Sequence, residues 1–588
     1  MGGAQALDPG ERAAEITRIR AKIDNFPHYN FYKCHRPDLK VACILDTFSY
    51  ECFKYEAYLQ QLRLETWKQQ IQAMRPHFLL VESAWRGVDD TWRNLLTDKH
   101  KGSKKELLDL LSFCKENRIP TVFWNKEDPA NYPHIIETAK LFDFIFTTDE
   151  NSIERYKRDT GHDRIDVLPF AAQPAIHNPI NSSYIDKENV AFAGTWYAAK
   201  HLERQADLQL LLNPAQAFGL HIFDRMQNFT GNMNYKFPDP YQSQIIGELN
   251  YADMIKAYKL YKVFLNVNSV KDSPTMFSRR VFELLASGTN VLSTYSQGIE
   301  KMFGGIVPFA SSEDEARMQL QHMLSIPEHS KRLSLLDIRA IHAQHLYKHR
   351  LNTILATIGF GSFPEDVTGV SVIAYAPPKS MLPLIDQFLA QTWPVKELIM
   401  VLKEGKLTPS VNAKVVKAYP NVSIIPAPKG ISLCHCLNTA VKKTKYEYIS
   451  VFMEDDYYGP NFLTDLMNAF NYTDADMVGK GCYYSYNKKA KTLTLENPDR
   501  EYKFISFMSC PAMIIKKSVL TEIAYPETDR CFEPFLVQCS NQGFKIFSSD
   551  KYNYIYATNH PETAPTTDST QSKYYVNCQA NAVRQLLV

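Results

Sequence analysis

Residues 278–288 read Ser-Arg-Arg-Val-Phe-Glu-Leu-Leu-Ala-Ser-Gly. The front is polar and basic, an apolar stripe follows, and a glycine ends it, which is the pattern of a helix with a marked start and stop. Apolar strand candidates stand on either side, Val263–Val267 and Asn290–Leu292. Working outward, strand candidates recur at Asn189–Ala193 and His221–Phe223, with a helix at Tyr251–Leu260. The same alternation fills the preceding stretch. Strands are expected at Val41–Leu45, Phe78–Val81, Thr121–Trp124, Phe144–Thr147 and Val167–Phe170, and helices at Lys104–Glu116 and Pro133–Leu141. Strands alternating with helices build parallel sheets covered on both faces. Two such Rossmann-like units in tandem make a cleft, and ligands bind at the carboxyl ends of their strands.

The chain divides on this reading into a helical lead-in (1–37), two Rossmann-like domains (38–183 and 184–358), a linker (359–369) and a third α/β domain (370–588). Ser311–Thr357 reads as mostly helical. The third domain shows strands at Val370–Ala374, Glu397–Leu402, Val422–Ile425 and Tyr448–Phe452, with helices at Met381–Gln391, Ser410–Ala418 and Leu433–Lys442.

The start of the 278–288 helix has the parts of a diphosphate site. A helix N-terminus carries free N–H groups and partial positive charge. Ser278 stands at that start, and Arg279 and Arg280 add two guanidinium forks. Glu283, one turn in, suits ribose hydroxyls. Gly194 and Thr195 follow a strand directly, where a glycine admits a close phosphate. Asp224 and Arg225 end the next strand. The alternative is an amphipathic helix with two solvated arginines.

In the first domain Asp46, Glu82 and Glu127 fall at strand ends, where a carboxylate can act as general base toward a hydroxyl. Trp85 is placed to stack on a sugar ring. The alternative for each acid is a helix cap or a salt bridge, and Asp128 before Pro129 reads as a helix-start pair. In the third domain Asp455 and Asp456 follow an apolar strand, a pattern that suits Mg²⁺ or Mn²⁺ bridging a diphosphate and equally a solvated acidic turn.

Composition narrows the classes. The 588 residues carry a formal charge of +2, with no strongly basic domain, so nucleic acid is not an expected partner. The 33 tyrosines and 33 phenylalanines supply rings for cores and for stacking on sugars and bases. The first ten residues lack the basic and apolar regions of a signal peptide, and Ala6 stands where a myristoylation motif needs Ser or Thr. No apolar run is long enough to span a bilayer. A cytoplasmic protein with reduced thiols is the expectation. Cys434-His435-Cys436 has the wrong spacing for a zinc knuckle and reads as core thiols.

Four strings carry a resemblance over residues 40–355: Phe-Leu-Leu-Val-Glu-Ser-Ala-Trp-Arg-Gly (78–87), Trp-Asn-Lys-Glu-Asp-Pro (124–129), Val-Ala-Phe-Ala-Gly-Thr-Trp-Tyr (190–197) and Ser-Pro-Thr-Met-Phe (273–277) running into 278–288. In this order they resemble the CgeB-like, spore-maturation-associated glycosyltransferases of GT-B arrangement. The resemblance implies a nucleotide-sugar donor (UDP-, GDP- or TDP-linked) on the second domain and the acceptor on the first. It gives Glu283 the ribose contact and implies no tightly bound cofactor. The partner acid of many retaining GT-B enzymes falls on Thr275, which leaves the stereochemistry open.

Residues 369–560 resemble family-2 glycosyltransferases of the GT-A fold, through Val-Ser-Val-Ile-Ala-Tyr-Ala (370–376) and Glu-Asp-Asp-Tyr-Tyr-Gly-Pro (454–460). The first acid of the usual metal motif falls on Met453, which leaves Asp455. Leu402-Lys403 replaces the acidic pair that grips uracil. Glu533 is the acid near the usual catalytic-base position, and His560 stands in for a late metal ligand. The expected function is sugar transfer to a cell-surface or spore-surface glycan or glycoprotein, with the GT-B half as main site. The alternatives are a bifunctional enzyme and a non-catalytic sugar-binding scaffold.

Overall fold

The structure is a computed structural model that describes residues 9–84, 91–98, 104–183, 186–198, 202–229, 235–361, 368–403, 417–508, 511–527, 531–558 and 575–576. It falls into two compact units, Met1–Pro179 with Asp186–Glu365, and Ile180–Ile185 with Asp366–Val588. The short stretch Ile180–Ile185, near the expected boundary of the first two domains, groups with the second unit. There the Asn181 N–H donates to the Tyr502 carbonyl at 2.7 Å.

The first unit holds two parallel sheets. The first runs Tyr58–Gln61, Lys40–Ile44, Phe78–Glu82, Thr121–Asn125, Phe144–Thr147, Ile165–Val167. Its inner strands are continuous apolar runs because helices cover both faces. The edge strand Tyr58–Gln61 is polar and half-exposed, and the sequence reading lacks it. The last strand lies earlier than the expected Val167–Phe170. Beyond Leu168, whose carbonyl accepts from the Trp124 indole at 2.9 Å, the chain leaves the sheet. The expected helix at Pro133–Leu141 is broken, with a 3₁₀ turn at Tyr132–His134 and one α-turn at Ile136–Ala139.

The second sheet runs Asn290–Ser293, Tyr261–Asn266, Glu188–Gly194, Leu220–Asp224, Ile245–Gly247. In each sheet the chain leaves one strand toward one side and returns on the other. That strand is Lys40–Ile44 in the first sheet and Glu188–Gly194 in the second. The crevice at such a switch lies beyond the carboxyl end of the strand. Asp46 and Gly194–Thr195 are therefore at the two switch points.

Two helices cross between the lobes. Pro9–Asp24 belongs in sequence to the first lobe but lies on the second, where Arg18 pairs with Glu188 at 2.7 Å and Arg20 donates to the Glu248 carbonyl at 2.6 Å. Tyr347–Thr357 follows the second lobe but returns to the first, where Arg350 donates to the carbonyls of Pro169 and Phe170 at 2.8 Å.

The second unit has an eight-stranded sheet in the order Val422–Pro426, Lys396–Leu402, Val370–Ala376, Tyr448–Met453, Met513–Lys516, Met477–Gly479, Ile546–Ser548, Lys503–Ile505. The first four strands are parallel, and Met513–Lys516 joins antiparallel. A smaller sheet pairs Tyr457–Tyr458 with Tyr554–Thr558 and carries Tyr483–Asn487 and Thr492–Glu496. Most of the expected helix Ser410–Ala418 and most of the 359–369 linker lie outside the described residues. Cys434 and Cys436 are buried thiols, while His435 is exposed beside Glu527.

Candidate active site

The helix read from 278–288 spans Arg279–Ala286. Gly288 adopts φ +69° and ends it. The Thr289 N–H reaches back to the Leu284 carbonyl and the Gly288 N–H to Leu285, the paired bonds of a glycine-terminated helix. Ser278 occupies the N-cap position, but its hydroxyl makes no capping bond. The amino end of the helix faces the loop after Glu188–Gly194. Arg280 Nη1 donates to the Ala193 carbonyl at 2.5 Å.

Three guanidinium groups ring that loop. Arg204 Nη1 donates to the Thr195 carbonyl at 3.0 Å and lies over the Tyr197 ring at 5.5 Å. Arg225 reaches the Tyr197 hydroxyl at 3.4 Å. Burial pushes the Arg204 pKa down; Tyr197 opposes it, and the charges of Arg280 and Arg225 add to the lowering. Clustered cations of this kind suit an anion. Thr195 is 2% exposed, and among the described residues neither its Oγ1 nor Arg280 Nε has a hydrogen-bond partner. Arg204 was absent from the sequence reading, because a single arginine inside a helix carries no local mark. Asp224 is buried at its strand end and accepts from the Met226 N–H at 2.9 Å, with burial raising its pKa. A Cβ on Gly194 would meet the Phe192 ring at 2.8 Å, so packing within the strand also requires glycine there.

Arg279 turns toward the first lobe. Its guanidinium lies 4.2 Å from the centre of the Phe48 ring, and Nε is 2.8 Å from Glu283 Oε1. Glu283 is 1% exposed. Its oxygens accept from Tyr251 at 3.0 Å and Tyr258 at 2.8 Å, and His177 lies 3.7 Å away. Burial opposes its charge, but Arg279, His177, the Tyr258 hydrogen bond and Arg280 together outweigh it and the pKa falls to about 2. The residue expected at the ribose is thus enclosed, with its acceptor sites committed to protein donors. Thr275 is also turned inward. It donates to the Thr148 carbonyl at 2.8 Å and accepts from the Glu150 N–H at 2.9 Å. Beside it Ser273 donates to Asp149 at 2.6 Å, so this segment fastens the two lobes.

On the first lobe Asp46 caps the helix Thr47–Phe53, accepting from the Ser49 N–H at 2.8 Å. It also accepts from Lys126 at 2.7 Å. Lys126 lies 2.9 Å from Glu82, and the Asp46 N–H donates to the other oxygen of Glu82. Glu82 is fully buried, whereas the Asp46 side chain is 33% exposed. Burial first and then the Asp46 charge raise Glu82 to about 7 despite Lys126. Burial also works to raise Asp46, but Lys126, the Ser49 N–H and Arg279 bring it down to about 2. The capping and salt-bridge alternatives thus apply to Asp46 together with a place facing Arg279.

Glu127 accepts from the Asn131 side chain at 2.8 Å, outside this cluster. Asp128 caps no helix. It is buried among Asn125, Thr147 and Tyr156, and burial raises it to about 7. Trp85 lies outside the described residues.

In the second unit Asp455 is exposed and paired with Lys488 at 2.7 Å. Asp456 is buried, accepts from the Tyr554 hydroxyl at 2.7 Å and the Ala557 N–H at 3.2 Å, and burial raises it to about 6. Glu533 is exposed in the first turn of Phe532–Asn541. His560 lies outside the described residues. One acid neutralised by lysine and one committed to the protein do not fit a divalent cation as they stand. Among the described residues, three metal-type side chains converge only at Glu15, Glu188 and His221, where Arg18 and Lys22 already neutralise the acids.

Residues 204–356 match the family described as glycosyl transferase-like, and residues 370–523 match glycosyl transferase family 2. The chain thus carries two stretches that match glycosyltransferase families. The first match takes in Arg204, Arg225 and the Arg279 helix, and the second takes in Asp455 and Asp456. Among solved structures the chain is similar to S. aureus TarS 1-349 in complex with UDP-GlcNAc, at 15% identity over 34% of this chain and 62% of that one, TM-score 0.27. It is also similar to the mannosyltransferase PcManGT from Pyrobaculum calidifontis in complex with GDP-Man and Mn²⁺, at 12% identity over 33% and 57%, TM-score 0.26. The chain thus spans less than two thirds of either. No curated protein matches it. Among the described residues no helix is long and apolar enough to cross a membrane.

Proposed function

We propose that the first unit transfers a sugar from a nucleotide-diphosphate donor to a hydroxyl of a glycan or glycoprotein acceptor. The carrying observation is that Arg279 from the donor-side helix lies over Phe48, in the helix that Asp46 caps on the first lobe, and that its charge bears on Asp46. The diphosphate takes the amino end of the Arg279–Ala286 helix, with Arg280, Arg204 and Arg225 around it and the Thr195 hydroxyl as a further donor. Negative charge grows on the diphosphate as the bond to the sugar breaks, and fixed cations in place beforehand stabilise it. Asp46 is the exposed acid on the facing side and takes the acceptor proton. Thr275 and Glu283 are both enclosed, so the reading favours direct displacement with inversion. The CgeB-like strings support a surface glycan or glycoprotein as acceptor.

Calorimetry with UDP and GDP tests the placement. Replacing Arg279 and Arg280 together by alanine is expected to weaken binding by about 2–4 kcal/mol, from loss of charge-assisted hydrogen bonds. Unchanged affinity rejects the site.

A further inference from the structure

Behind Asp46 the first sheet holds an arrangement that a simple base does not need. Lys126 is 8% exposed and lies between two carboxylates on neighbouring strand ends. Its ammonium donates to Asp46 Oδ2 at 2.7 Å and to the Ser49 hydroxyl at 3.1 Å, and lies 2.9 Å from Glu82 Oε2. Its backbone N–H is held by the Ser83 hydroxyl at 2.9 Å. Glu82 has no exposed surface, so it meets no acceptor directly. Only Asp46 opens toward the cleft, yet its neighbours make it a weak base.

We propose that Asp46, Lys126 and Glu82 form a proton relay in which Lys126 passes the acceptor's proton inward from Asp46 to Glu82. This rests on the sugar-transfer reading above. The acceptor O–H bond breaks as its oxygen bonds to the sugar carbon, and the bond from that carbon to the diphosphate breaks with its electron pair leaving on the diphosphate. The proton goes to Asp46. Lys126 gives one N–H proton to Glu82 Oε2 and takes the Asp46 proton at Oδ2. Asp46 and Lys126 return to their starting charges, and Glu82 is left neutral. The direction follows from the environments, since burial makes the neutral form of Glu82 the comfortable one and Arg279 with Lys126 keeps Asp46 ionised. Asp46 touches substrate, whereas Lys126 and Glu82 act through it as positioning residues.

The groups that set the titration come from several elements. Asp46, Lys126 and Ser49 face Glu82, and the buried Cys43 thiol lies close enough to feel its charge. Arg279 faces Asp46 from the second lobe, and Tyr347 lies near both. Burial works against the Lys126 charge, but the two carboxylates outweigh it and raise its pKa.

The relay needs Glu82 unprotonated at the start. Nucleotide release from UDP- and GDP-sugars by the full chain should therefore rise with pH through about 7. Glu82→Gln should lower turnover about 10²-fold, the lower range for general acid–base steps, and remove that limb of the profile. Lys126→Met should do the same, while Lys126→Arg keeps the charge and retains more activity. UDP affinity should stay within about twofold in all three, which also shows that they fold. A second readout is independent of turnover. Infrared titration should show a protonated-carboxyl band that disappears near pH 7 and is missing in Glu82→Gln. Asp128→Asn identifies the separate Asp128 signal. An unchanged pH profile in Glu82→Gln, or a band that survives it, overturns the relay. UDP binding that ignores Arg279 and Arg280 overturns the sugar-transfer reading instead.

Discussion

At Glu283 a carboxylate is stripped of water and kept charged by one guanidinium, two phenols and a neighbouring imidazole. Removing one member of a buried pair leaves the other uncompensated, which costs about 3–5 kcal/mol. Glu283→Ala is therefore expected to lower unfolding stability by about that amount in denaturant titration. Glu283→Gln keeps the acceptor oxygen and should lose less. Both should weaken UDP binding through Arg279, which loses its anchor. The string 278–288 announced the helix, the arginines and the acid, because helix starts and stops are local. It could not announce that Tyr251, Tyr258 and His177 would enclose the acid, since those side chains arrive from other elements. Arg204 and Lys126 escaped notice for the same reason. Each is an ordinary cation in the string, and its neighbours exist only after folding. The Asp128-Pro129 pair shows the limit from the other side, since a good local signal for a cap yields to a buried cluster.

Among the elements, strands with continuous apolar runs were legible, and polar or three-residue edges such as Tyr58–Gln61 and Ile245–Gly247 were not. The half-exposed edge Tyr58–Gln61 buries little, so its residues need not be apolar, whereas Ile245–Gly247 is buried but too short to show a pattern. The lead-in helix Pro9–Asp24 was visible, but its seat was not. Glu188 holds it through Arg18 and Lys22. Burial opposes the Glu188 charge, yet the hydrogen bonds from Arg18 and Lys22 bring its pKa to about 2 from 4.5. A lowered carboxylate pKa gives stability that is present above pH 4.5 and lost as pH falls toward 2. Thermal unfolding of the wild type should show this loss, and Glu188→Gln should flatten it while costing about 1 kcal/mol at neutral pH, since water screens a partly exposed pair. A variant with an unchanged acid slope would remove Glu188 from that role.

On the scale of the whole molecule, two units with separate cores should respond separately to ligands. A ligand that binds only the folded form raises stability by about 2.7 kcal/mol at a hundred times its dissociation constant. UDP is therefore expected to raise the melting transition of the first unit in the presence of EDTA, because its cradle is made of arginines and N–H groups. A shift that requires manganese would move the main site to the family 2 domain. The two helices that trade lobes have a bearing on protein engineering. Each lobe is completed by a helix encoded on the far side of the other, so neither lobe is a contiguous gene segment. A hybrid with a transplanted donor lobe must import residues 9–24 with it and keep the host's own 347–357, or each lobe loses a packed helix.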